Sequence, residues 1–167
     1  LYIQNMVSDG DIYLSGSDGG SNINALVLDM SEGGNATFVG QIITSTAGSN
    51  NVRLGDGAGA ALASGSQRNV VIGSNAGAAL TTGDYNVAVG YNALITNTTA
   101  ERNTAIGQSA LKLNTTGSYN VAVGQGALND CTTASNNVAV GQGAGGNITT
   151  GGGNTLVGED AGDAITT

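Results

Sequence analysis

A chain of 167 residues carrying a net charge of -8, with only 10% charged and 4% aromatic residues, has neither the cationic surface that nucleic acid requires nor the polarity of a solvated disordered chain. Gly occurs 29 times while Pro, His and Trp are missing, so every backbone N–H is free to join a ladder and a Ser-His nucleophilic triad cannot be built. No apolar run approaches the ~18 residues that cross a bilayer, and nothing at the start resembles a signal peptide. Because the chain begins at Leu1, it reads as a fragment of a longer polypeptide.

Residues 1–50 form the first segment, rich in carboxylates at Asp9, Asp11, Asp18, Asp29 and Glu32. Its short runs Asp11-Ile12-Tyr13-Leu14, Ala25-Leu26-Val27-Leu28 and Ala36-Thr37-Phe38-Val39 alternate with Gly/Ser/Asp/Asn clusters, the pattern of strands joined by turns. Asn24 to Met30 is the only stretch that also admits a helix.

Residues 51–167 are periodic. Asn-Val-Ala-Val-Gly or a close variant starts at Asn51, Asn69, Asn86, Asn103, Asn120, Asn137 and Asn154, spaced by 18 residues and then by 17 five times over. A constant period of this size describes one small unit stacked on itself, here a seven-coil β-roll. Within the unit a strand comes first: Val87 and Val89 share one face and Ala88 takes the other, so both faces are apolar and need cover. A small residue follows at Ala58, Ala76, Ala93, Ala110, Ala127, Ala144 and Ala161, next to Gly or Leu. Leu62, Leu80, Asn97, Asn114, Cys131, Ile148 and Ile165 supply a second wall, and Thr pairs such as Thr81-Thr82 and Thr98-Thr99 lead into the closing turn.

Stacking places identical residues in register at a rung spacing of ~4.8 Å, which gives the seven asparagines the geometry of a hydrogen-bonded ladder over a rise of roughly 29 Å. The glycine that ends each strand, from Gly55 to Gly158, marks a sharp corner of positive φ or close backbone approach. One such coil encloses a thin core, so self-association is expected. Three chains about a common axis, burying the Ala-bearing face, is the expected arrangement.

The unit Asn103-Thr104-Ala105-Ile106-Gly107-Gln108-Ser109-Ala110-Leu111, with Asn114-Thr115-Thr116-Gly117 downstream, resembles the head repeat of trimeric autotransporter adhesins. It is more similar to the repeats in tail fibres of tailed bacteriophages, over residues 51–167. Upstream, Ser17-Asp18-Gly19-Gly20 and Leu28-Asp29-Met30-Ser31-Glu32-Gly33-Gly34-Asn35-Ala36-Thr37-Phe38 resemble the segment that precedes such repeats in phage fibres. The resemblance implies an all-β, left-handed parallel β-roll, assembled as an elongated homotrimer and located in the virion. Its implied partners are other chains of the fibre or virion and a glycan or protein of the host cell surface. A self-cleaving C-terminal chaperone often follows, either removed from this chain or lying beyond it.

Candidate chemistry is sparse, and no catalytic, cofactor or metal residues are assigned. The carboxylate pairs Asp9/Asp11 and Glu159/Asp160 read as solvated turn charges rather than a glycosidase pair, and the Asp-Gly turns Asp9-Gly10-Asp11, Asp18-Gly19 and Asp56-Gly57 match no calcium loop. Cys131, alone, reads as a small buried hydrophobe. Tyr85 and Tyr119, at equivalent positions two coils apart, and Tyr91 beyond a corner glycine are the candidate receptor contacts, set against packing between coils. The expected function is non-enzymatic display and host attachment by a phage fibre. The alternatives are the head of a bacterial surface adhesin, or an ice-binding solenoid suggested by the Thr pairs, although successive Thr side chains face opposite ways.

Overall fold

The computed structural model describes the strands at residues 12–18, 21–29 and 35–37 and the continuous stretch 50–167. The chain divides into two compact units, Leu1–Ile42 and Ile43–Thr167. Among the described residues every regular element is a strand.

In the first unit β1 (Ile12–Asp18), β2 (Ser21–Asp29) and β3 (Asn35–Thr37) form an antiparallel sheet in that order. Asp18 pairs with Ser21 and Ile12 with Leu28, the register shifting once between Leu14 and Ser15. Of the stretch that admitted a helix, residues 24–29 lie within β2, which pairs with β1 and, from Val27 to Asp29, with β3, and Met30 lies outside the described residues. Phe38 and Val39, and the carboxylate pair Asp9/Asp11, lie outside the described residues.

The second unit is a β-solenoid. Its strands β4 (Val52–Leu54), β5 (Val70–Ile72), β6 (Val87–Val89), β7 (Thr104–Ile106), β8 (Val121–Val123), β9 (Val138–Val140) and β10 (Thr155–Val157) form one parallel sheet in strict chain order. Pairing is without slippage: Val87 sits opposite Thr104, Thr104 opposite Val121 and Val121 opposite Val138. The strands are only three residues long because a corner glycine ends each one. At Gly90 φ is +132°, and an added Cβ would stand 2.6 Å from the carbonyl oxygen of Gly107 on the next coil. Side-chain-free corners are therefore a condition of stacking at this spacing.

The sheet faces the opposite way from the sequence expectation. Ala88, Ala105, Ala122 and Ala139 point into the coil and are fully buried, whereas the flanking residues, valines except for Thr104 and Ile106, look outward and stay partly accessible. The Ala-bearing face is thus the interior of one chain and cannot be the surface buried between chains. The alanines pack in one core with the opposing wall of Ala93, Ala110, Ala127 and Ala144 and with Leu94, Leu111 and Leu128, and the one valine turned inward at a strand centre, Val71, faces Gly77 instead of a leucine.

Core volume is shared among three positions per coil. Coils three to five carry Leu94, Leu111 or Leu128 against a strand-centre Ala, and their second wall is the smaller Asn97, Asn114 or Cys131. Where the leucine is replaced by glycine, larger side chains move in: a Cβ on Gly77 would meet Val71 at 2.8 Å, and one on Gly162 would meet Leu156 at 2.7 Å and Ile165 at 3.3 Å. Each coil therefore fills one constant space with a different partition of side chains. Arg53 holds the strand-centre position in the first coil, half-buried, its Nε donating to Ala58 O at 2.6 Å. A cation is tolerated there because β4 ends the sheet and solvent reaches it.

The partition rule makes a double-mutant prediction. Ala105→Leu alone overfills coil four and should lower unfolding free energy by about 1–3 kcal/mol. Adding Leu111→Gly, which reproduces two of the three positions of the last coil, should recover part of that loss; urea denaturation of the single and double variants measures it.

Candidate functional site: the asparagine ladder and the outer columns

All the ladder asparagines except Asn154 are buried, and Asn154 is half-buried. The Oδ1 of each accepts the backbone N–H of the next: Asn51 from Asn69 at 2.9 Å, Asn69 from Asn86 at 2.8 Å, Asn86 from Asn103 at 3.0 Å, Asn103 from Asn120 at 3.0 Å, Asn120 from Asn137 at 3.1 Å and Asn137 from Asn154 at 2.9 Å. Amide-to-amide contact is the lesser part, as when Asn120 Nδ2 donates to Asn103 Oδ1 at 3.2 Å. The stronger use of Nδ2 is to close its own coil. Asn69, Asn86, Asn103 and Asn120 donate to the carbonyls of Gly83, Ala100, Gly117 and Ala134, each 14 residues on, at 2.8–2.9 Å. In the first coil the donor reaches Ser66, 15 residues on, so the extra residue of the 18-residue repeat is absorbed inside the closed loop.

Asn97 and Asn114, expected as wall residues, are also turn clamps. Asn114 Oδ1 accepts the N–H of Gly117 at 3.1 Å while its Nδ2 donates to the Gly117 carbonyl at 2.8 Å, and Asn97 embraces Ala100 in the same way. Among the described residues the one buried side-chain polar atom without a partner is Asn92 Oδ1. The other buried side-chain polar atoms are paired, so the free hydrogen-bonding side chains are those of the outer columns.

The residue before each ladder asparagine adopts positive φ: Asn50, Arg68, Tyr85, Arg102, Tyr119, Asn136 and Gly153. Stacking turns four of these into an alternating Arg–Tyr column. Arg68 and Arg102 lie over the Tyr85 ring at 5.2 and 5.1 Å, Arg102 also lies over Tyr119 at 5.4 Å, and the guanidinium Nη1 atoms donate to the hydroxyls of Tyr85 and Tyr119 at 2.7 and 2.9 Å. Both faces of Tyr85 are therefore covered, which removes it as a platform for a sugar ring. The column is also close to neutral, since Glu101 pairs with Arg102 at 3.2 Å and Asp84 accepts the Gln67 N–H at 2.6 Å. Tyr91 stands apart, beyond the corner at the far end of β6, and is 53% exposed. The structure thus separates the three tyrosines into a stacked pair and a free one. The pattern Arg68, Tyr85, Arg102, Tyr119 was visible at the spacing of the repeat, but its meaning depended on the αL geometry that aims all four side chains the same way.

The threonine pairs divide their roles. The hydroxyls of Thr81, Thr115, Thr132 and Thr149 donate to the carbonyls of Thr98, Thr132, Thr149 and Thr166 at 2.9–3.1 Å, while Thr82, Thr99, Thr116, Thr133 and Thr150 form the exposed column. One free column does not make the two-column hydroxyl plane an ice face would need. Cys131 is fully buried, its Sγ 3.8 Å from the Ala134 carbonyl, and burial pushes the thiol up from 9.0 to about 11. Glu159 and Asp160 are exposed in the last coil. Comparison with family profiles, curated proteins and solved structures finds no match.

Asn103→Ala orphans the buried N–H of Asn120 and should cost about 2–4 kcal/mol in urea unfolding, against about 1 kcal/mol or less for Arg102→Ala on the exposed column. The Cys131 thiol should resist an aromatic disulfide reagent at pH 8 in the folded chain and react at once in denaturant. Since the unfolded thiol loses its proton near 9.0 and the folded one near 11, stability should fall as pH rises through that interval; denaturant midpoints at stepped pH test the sign.

Proposed function

We propose that the chain is a structural segment of a fibre, assembled from three copies and holding binding elements away from the particle that carries it. The observation that supports this reading is the outward apolar strip of the solenoid sheet. Val52, Leu54, Ile106, Val140 and Val157 are all substantially exposed, Leu54 at 67% and Val157 at 71%, and with Ile72 and the valines between them they form an apolar face, interrupted in one of its two columns by Thr104 and Thr155, on a sheet whose other face is already packed. An apolar strip at every rung is costly in water and becomes favourable when copies cover one another. The sheet face, rather than the Ala wall, is accordingly the surface assigned to the homotrimer.

The location proposed for this fibre is the tail of a phage virion, in contact with other fibre or virion chains and with the host cell surface. Support for phage over a bacterial adhesin head comes from the segment Leu28 to Phe38, which resembles the run preceding such repeats in phage fibres. No helix among the described residues is long and apolar enough to cross a membrane. The mechanism is mechanical: rigid rungs repeat each outer side chain at fixed intervals, and several copies per particle convert weak contacts into avid ones. No chemical step is assigned to the chain.

Sedimentation equilibrium across a concentration series should return the mass of three chains. Val123→Asp, on the outward face of β8, should shift the population to monomer without loss of the β-sheet signal. A monomer at every concentration for the unmodified chain sinks the assembly.

A further inference from the structure

Beyond the corner glycine of each coil runs an outer column that reads Asp56, Ser74, Tyr91, Gln108, Gln125, Gln142 and Glu159, every member exposed. Its backbone is fixed rung by rung. The carbonyls of Ser74, Tyr91, Gln108 and Gln125 accept the N–H of Asn92, Ser109, Gly126 and Gly143 on the following coil at 3.1, 2.9, 2.9 and 2.9 Å. The side chains therefore project at a constant spacing of ~4.8 Å, close to the length of one pyranose unit. Unlike Tyr85, Tyr91 has no guanidinium over its ring among the described residues; its column neighbours are Ser74 and Gln108.

We propose that this column binds an uncharged linear polysaccharide laid along the stack. Tyr91 stacks on the C–H face of one sugar, and the carboxamides of Gln108, Gln125 and Gln142 exchange hydrogen bonds with the hydroxyls of the sugars that follow. The ligand class is read from three features. A carboxamide offers donors and an acceptor on one planar group, which matches vicinal hydroxyls that also donate and accept. A tyrosine with an open face adds an apolar platform with a polar tip. Charge then chooses between glycans: the uncharged run from Ser74 to Gln142 is bounded by the carboxylates Asp56 and Glu159 on a chain of net charge -8, so a uronate or sulfated polymer is repelled and finds no cation in the column. The corner glycine, at positive φ, turns the chain between the outward valines and the column. This inference rests on the display function proposed above and names its ligand.

The test is a titration of the full chain with cellohexaose, maltohexaose, mannohexaose and hexagalacturonate, followed through the side-chain amide resonances of Gln108, Gln125 and Gln142. At least one neutral hexasaccharide should shift those resonances. Tyr91→Ala should weaken that binding roughly fivefold or more, Gln125→Glu should weaken it too, and Tyr85→Ala should leave it unchanged. The substituted side chains are all exposed, and an unchanged β-sheet spectrum checks that each variant is folded. The proposal is overturned if no neutral hexasaccharide binds, if Tyr91→Ala binds as tightly as the unmodified chain, or if hexagalacturonate binds as tightly as the neutral sugars. Sedimentation reads the other proposal separately: a monomer that binds sugar keeps the column and loses the fibre, whereas a trimer that does not bind keeps the fibre and loses the column.

Discussion

One side chain closes each coil and joins it to the next, and the rest of the solenoid depends on that double use of asparagine. Its Oδ1 takes the place of a backbone carbonyl for the N–H of the following rung, while its Nδ2 reaches across its own coil to a carbonyl 14 residues on, as from Asn86 to Ala100. The first bond fixes the rung spacing and the second fixes the cross-section. Both lie in the interior, where an unpartnered donor would cost on the order of 1–3 kcal/mol, so the motif is held firmly to its register.

A fixed, narrow cross-section dictates the core. Only a methyl fits at the strand centre when a leucine occupies the facing turn, and only glycine fits the turn when the strand centre or second wall is large, as at Gly77 with Val71 and Leu80. Chain reversal inside so short a circuit also demands left-handed residues. Leu94, Leu111 and Leu128 take φ of 54°, 49° and 50°, at about 1 kcal/mol each, and are retained because their side chains fill the coil. The same small interior leaves the valines on the outside, which links the thin core directly to the exposed apolar face.

Much of this was legible before any coordinates. The period located every strand of the solenoid, the recurring Gly after Val, Ile or Leu located the corners, and the recurring Asn announced a ladder, because stacking multiplies any local requirement into a column. The direction of the strand was not legible. Alternation says that Val87 and Ala88 face opposite sides but does not say which side is inside, and the usual preference for burying the larger residue pointed the wrong way. The roles of Tyr85 and Tyr119 were equally hidden, since nothing in a tyrosine's neighbours along the chain reveals that arginines one coil away cover its face.

The sequence by itself determined the period, the strand positions, the corner glycines and the ladder, because each is a local demand repeated at a constant interval and so written directly in the residue pattern. Only the tertiary structure decided which face of the strand is interior, how each coil divides its volume among three positions, and which outer columns are occupied by one another and which stand free. Those outcomes are set by the distance between facing walls and by contacts between residues about 17 positions apart, quantities that arise only when the coils are wound and stacked.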